Sequence, residues 1–185
     1  MSANTKTTTK ITTIQKGLLT LVTNYEQAIL KEQEIKDCDS LSTSSSEGEN
    51  ETQVTSLTKS ESEFRKILKK YCTILNRLQR VKIEDSVFVY CSLLFKKVMS
   101  KRKSTLQARD LLKIFTVCIF LSFKYVVDDL LFYAKDFCTL TGIDPKMLEM
   151  LESAILVNIL NFEINFSEEE FNQEIKNLRL TASLN

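Results

Sequence analysis

Between Leu111 and Phe123 the chain carries almost nothing polar. Leu111, Leu112, Ile114, Phe115, Val117, Cys118, Ile119, Phe120, Leu121 and Phe123 are broken only by Lys113, Thr116 and Ser122. A helix over about 105–126 is therefore apolar on nearly every side. Such a helix must be enclosed by other elements, whereas a surface helix shows a single stripe. The run from Ile114 to Phe123, bounded by Lys113 and Lys124, reaches about half of the roughly 20 residues that cross a bilayer. Its enclosure is expected to come from protein. The segment thus predicts an all-α bundle with this helix at its centre.

Composition agrees. The 185 residues include only three glycines and one proline, too few for the turns and phosphate loops of most β and α/β folds. Long helices with short connections are the expected solution. There is no histidine, which removes Ser-His-Asp and Cys-His catalysis and imidazole-ligated zinc. The five cysteines, Cys38, Cys72, Cys91, Cys118 and Cys138, are widely spaced. They read as small apolar residues or free thiols of a reducing compartment. Met1 to Lys10 is polar and Thr-rich, unlike a secretory signal. The expectation is a protein of the cytosol or nucleus that needs no cofactor or metal.

Periodicity divides the chain. Residues 1–9 are expected to be disordered. Ile11, Ile14, Leu18, Leu21, Val22, Tyr25 and Ile29 stand at helical spacing, so 10–36 predicts an amphipathic helix, slightly weakened by Gly17. Residues 37–60 are rich in serine and glutamate and nearly free of apolar groups, and predict a flexible insert. Its serines beside acids are either phosphorylation sites or parts of a passive linker. Ser60 with Glu63 forms a capping box, opening a helix over about 61–80 with Phe64, Ile67, Leu68, Tyr71, Ile74, Leu75 and Leu78 inward. Asp85 or Ser86 is the expected cap of a helix to about 99. After the central helix, one helix is predicted over about 130–139, closed by Thr141-Gly142. Another follows over about 145–160, opened by Asp144 as cap and Pro145 at the first helical position. Ser167 with Glu170 opens a final short helix to about 178, and 179–185 is a tail.

Net charge is +1, but its distribution is uneven. The chain is basic between Lys59 and Lys103 and acidic from Asp128 to Glu174. Either the two halves pair within the bundle, or a basic face awaits an acidic partner.

Five helices over 61–160, the third one central, are preceded by an apolar helix. Three pieces of this region resemble a cyclin box, most closely that of the P-type (U-type) cyclins. Ser86-Val87-Phe88-Val89-Tyr90 through Lys96-Lys97-Val98 looks like the second box helix. Phe120 to Asp129, with Lys124 and Asp128-Asp129, is similar to the Ala-Lys-Phe-x-Asp-Asp signature that ends the third. Gly142-Ile143, Leu151-Glu152, Leu160-Asn161-Phe162-Glu163-Ile164 and Phe171 resemble the fifth helix and its exit. The likeness covers roughly 86–171 well. The domain it implies is a cyclin box with exit helix over 61–178.

Cyclins hold a cyclin-dependent kinase with a lysine of the third helix and a glutamate of the fifth. The resemblance implies Lys124 and Glu152 in these roles, with Lys96, Phe123, Asp128, Asp129 and Phe132 around them. Lys124 has a plainer reading, a lysine snorkelling from the end of an apolar helix. Counted from Gly142-Ile143, the acidic position is Glu152. Counted back from Leu160-Asn161-Phe162, it falls at Ser153, and one added residue within that helix reconciles the counts. The same residues admit two rival functions. A transcription-associated or adaptor protein of cyclin-like fold would use the basic segment Lys96 to Lys103 on phosphates, although one box and a balanced charge argue against it. An enzyme would need a third ligand beside Asp128-Asp129, and none stands at matching spacing. The expected function is therefore kinase regulation without catalysis.

Overall fold

The fold was analysed in a computed structural model, which describes residues 11–41, 66, 70–74, 76–78, 83–102, 106–127 and 134–183. The helices are α1 (Thr13–Leu41), α2 (Asp85–Lys101), α3 (Ala108–Val126), α4 (Ala134–Thr141), α5 (Pro145–Ser153), a π-helical turn (Ala154–Ile159) and α6 (Glu168–Ser183). Residues 70–74 and 76–78 are also helical, and no strand occurs among the described residues. The chain is an all-α bundle. No described helix is long and apolar enough to cross a membrane.

The helix expected at the centre is there. From Ile114 to Phe123 every residue of α3 is buried. The two polar interruptions cost little, because Thr116 donates to the Leu112 carbonyl and Ser122 to that of Cys118, each at 2.7 Å. Rings clasp the helix. Phe115 meets Tyr71 edge-on at 5.2 Å and Phe95 of α2 at 6.1 Å. Tyr25 of α1 reaches the same Phe95 at 5.5 Å, and Phe137 of α4 packs on Phe120 at 5.0 Å. Each such side chain stabilises by about 1.5–3 kcal/mol when fully buried. Tyr71, Ile74 and Leu78, three of the seven stripe residues expected over 61–80, are buried too. The Ser60–Glu63 capping box lies outside the described residues.

The apolar face of α1 is covered by α6 first, then by α2 and α3. Ile14, Leu18, Val22 and Ile29 form its buried seam. A capping box not anticipated from the sequence starts it. Gln15 N–H donates to Thr12 Oγ1 at 3.2 Å, and Thr12 N–H donates to Gln15 Oε1 at 3.1 Å. The helix also runs on to Leu41, taking in five residues assigned to the flexible insert. Extending an existing helix adds one hydrogen bond per residue fixed, with no new nucleus. Residues 42–60 of that insert, and 1–9, lie outside the described residues.

Two other boundaries shift. Asp85 and Ser86 do not cap α2. Glu84 precedes its first turn without a side-chain cap, and Asp85 instead accepts from the Thr12 hydroxyl at 2.8 Å. The final helix continues past 178 to Ser183, while its predicted cap is in place. Glu170 N–H donates to Ser167 Oγ at 3.2 Å, and Ser167 N–H to Glu170 Oε2 at 2.7 Å.

Opposite charges meet inside the bundle. The buried Glu174 of α6 accepts from Ser92, from Lys96 at 2.6 Å and from Asn177 at 3.3 Å. Lys101 pairs with Glu163. Basic α2 is thus joined to the acidic C-terminal part. Cys91, Cys118 and Cys138 are buried free thiols, and burial pushes the protons of Cys91 and Cys118 on more firmly. Glu26 is different. It lies fully buried in the α1 seam with neither carboxylate oxygen hydrogen-bonded among the described residues.

Gly17 is more than a weak point of α1. A Cβ there would stand 2.1 Å from the Leu178 carbonyl oxygen and 2.9 Å from its Cα, so α1 and α6 cross backbone to backbone. In an isolated helix Gly17→Ala would add about 1 kcal/mol of stability. Here it is expected to reverse the sign and cost about 1–3 kcal/mol through overpacking, read as a lower urea midpoint at unchanged slope.

Candidate partner-binding site

Lys124 occupies the last turn of α3, where the exposed carbonyls favour a cation. Glu152 lies near the end of α5. The helices bring them together, with Lys124 Nζ donating to Glu152 Oε1 at 2.5 Å. The ammonium also sits 4.8 Å from the centroid of the Phe120 ring, one turn back. The lysine side chain is 49% exposed and the glutamate 18%. The carboxylate is thus mostly covered, while the ammonium faces solvent and keeps donors to spare.

Local chemistry sets the register of Glu152. Gly142, at φ 77°, closes α4 by donating to the Cys138 carbonyl at 2.8 Å. Asp144 then caps α5, its carboxylate accepting from Met147 N–H at 3.0 Å, with Pro145 at the helix start. Beyond Glu152 the helix widens into the π turn, where Leu160 N–H reaches back five residues to Ile155 at 2.9 Å. A π turn takes up one residue more than an α turn without breaking the helix. That absorbed residue lies between Glu152 and Leu160, where the two sequence counts disagree by one.

Beside Lys124 stands an aromatic rim that the sequence reading missed. Tyr125 is 50% exposed and stacks on Tyr90 of α2, 6.2 Å between centroids and 8° apart in plane. Tyr90 is fixed in turn. Its hydroxyl donates to the Ile164 carbonyl at 2.5 Å, and its ring meets Phe166 edge-on at 5.2 Å. Burial, then the neighbouring Tyr125, pushes the Tyr90 phenol up to about 12, so it stays a neutral donor. Lys97 lies over Phe166 at 5.3 Å. The chain leaves the π turn through Asn161 and Phe162, at φ 49° and 58°. This left-handed region is strained for a bulky residue, yet Phe162 is 61% exposed. Ile164 N–H donates to the Phe162 carbonyl at 3.0 Å, tying that residue to the strand of chain that holds Tyr90. The only sequence hint of Tyr125 was its place after Lys124 at a helix end.

The other expected residues land differently. Phe123 is buried, 8% exposed, and belongs to the core. It points inward because α3 is enclosed on all sides, which corrects its assignment to a partner surface. Lys96 is drawn to the buried Glu174, so its charge is used within the bundle. The pairing of Lys101 with Glu163 likewise leaves the basic segment less able to meet phosphates. Asp128, Asp129 and Phe132 lie outside the described residues.

A double-mutant cycle on Lys124→Ala and Glu152→Ala is expected to give a coupling of about 0.5–1 kcal/mol in urea unfolding, the worth of a solvent-facing pair. A small value means the pair does not hold the fold together. Among protein-family models, curated proteins and solved structures, none matches this chain, so the reading of the site rests on its own residues.

Proposed function

We propose that the chain is a cyclin-like regulatory subunit that binds a cyclin-dependent protein kinase and promotes its active conformation, without catalysing a reaction itself. The observation that carries this reading is the Lys124–Glu152 pair, spanning the ends of α3 and α5 beside the fixed, exposed ring of Tyr125. An ammonium with spare donors serves backbone carbonyls, and a carboxylate serves backbone amides. Two groups that hold each other in place lose little freedom on binding. Aromatic rings already locked by stacking make strong anchors at interfaces. Together they suit the backbone of a partner helix.

In a kinase, the regulatory helix must bring its glutamate to the catalytic lysine before phosphate transfer proceeds. A subunit that binds only the helix-in arrangement draws the population toward it. This role goes with a cytosolic or nuclear location, where such kinases and ATP meet.

The test exchanges the charges with Lys124→Glu and Glu152→Lys together. The exchanged groups still attract each other, so the bundle keeps its stability while both charges facing the partner are inverted. Capture of cyclin-dependent kinases from the source cell is expected to fall at least tenfold, about 1.4 kcal/mol in binding, and Tyr125→Ala to act in the same direction. Undiminished capture by the double variant removes the site. Salt-dependent DNA binding in place of kinase capture turns the reading to the transcription-associated alternative.

A further inference from the structure

Glu26 occupies the same face of α1 as Val22 and Ile29, four residues before it and three after. All three are buried, and Glu26 is completely so. Among the described residues neither of its carboxylate oxygens finds a hydrogen-bond partner, and the buried hydroxyl of Tyr71 has none either. A carboxylate sealed in apolar surroundings without a cation or donors is far costlier than a carboxylic acid. The seam therefore closes over the protonated form.

We propose that Glu26 makes α1 a protonation-controlled strap, docked on the bundle while the carboxyl carries its proton and released locally when it loses it. Burial alone raises its pKa, from 4.5 to about 7. Several cations of the surrounding elements are engaged elsewhere. Lys96 of α2 goes to Glu174 of α6, Lys97 covers Phe166, and Lys113 of α3 pairs with Asp110. Tyr71 is the titratable group that the charge of Glu26 reaches, and burial followed by that charge holds its phenol neutral well above its usual range.

The direction follows from linkage. A carboxyl that holds its proton more tightly in the docked state favours docking fully below about pH 4.5. Docking weakens as pH rises toward 7, then levels off. The device works locally because a helix on the outside of a bundle can open as a unit while the core stays closed. Opening uncovers Ile14, Leu18, Val22 and Ile29 together with the faces of α6, α2 and α3 that α1 covers.

Hydrogen exchange of the full chain between pH 5.5 and 8 tests this, with rates corrected for intrinsic exchange and α3 amides as reference. The α1 opening constant is expected to rise about 30-fold across that range, as the two ionisation constants require, while α3 stays protected. Glu26→Gln, which mimics the protonated carboxyl, is expected to give a flat profile, and Glu26→Leu, with nothing to titrate, the same. Tyr71→Phe should keep the pH dependence. A flat wild-type profile overturns the proposal. So does pH dependence that survives in Glu26→Gln, or that vanishes in Tyr71→Phe. Loss of α3 protection in step with α1 overturns it as well, because the whole bundle would then be titrating.

Discussion

Everything in this fold answers to a helix that has no side it can show to water. α3 carries apolar residues around its full circumference, and any face left open would expose rings and branched side chains to solvent. The neighbouring helices are arranged to prevent that. Tyr71, Phe95 and Phe137 press on it from three directions, and α1 completes the wall. The two hydroxyls within it are quenched on its own backbone. The helix meets solvent toward its two ends, through Arg109 in its first turn and through Lys124 and Tyr125 in its last.

That geometry explains why the candidate site sits where it does. A bundle built around a buried helix has most of its chemistry locked inside, and polar groups gather at the helix ends. The end of α3 offers a cation and a ring, and the end of α5 offers the matching carboxylate. The π turn and the left-handed pair that follows it then carry the chain away while leaving Phe162 outward. Among the described residues, departures from ideal backbone collect at this corner, as strain often does near working surfaces.

What the sequence disclosed was local chemistry. The seam of α1, the enclosure of α3, the Asp144–Pro145 start and the Ser167–Glu170 box each involve residues within a turn or two of one another. Those rules hold in nearly any context. The lysine and glutamate were paired from sequence only through family likeness, and nothing in the local sequence announced the π turn between Glu152 and Leu160. Contacts across long stretches of chain were hidden. Nothing near Lys96 announces that Glu174 waits 78 residues on. Phe123 looked available for a partner because it neighbours Lys124, but one step along a helix turns a side chain by about 100° and here sends it into the core. Thr12 and Gln15 could have been read as a cap and were passed over.

The backbone contact of Gly17 with Leu178 carries a consequence for how the molecule is made. α1 leaves the ribosome well before α6, with its apolar seam uncovered, and the helix it must grip is nearly the whole length of the described chain away. At translation speeds of 5–20 residues per second, the seam waits roughly ten to thirty seconds for its cover. Contacts this distant in sequence also slow the closing step of folding itself. During that interval the acidic side chain of Glu26 becomes an advantage. An exposed, ionised Glu26 breaks the greasy stripe of the nascent helix and keeps it from sticking to the wrong surface until α6 arrives.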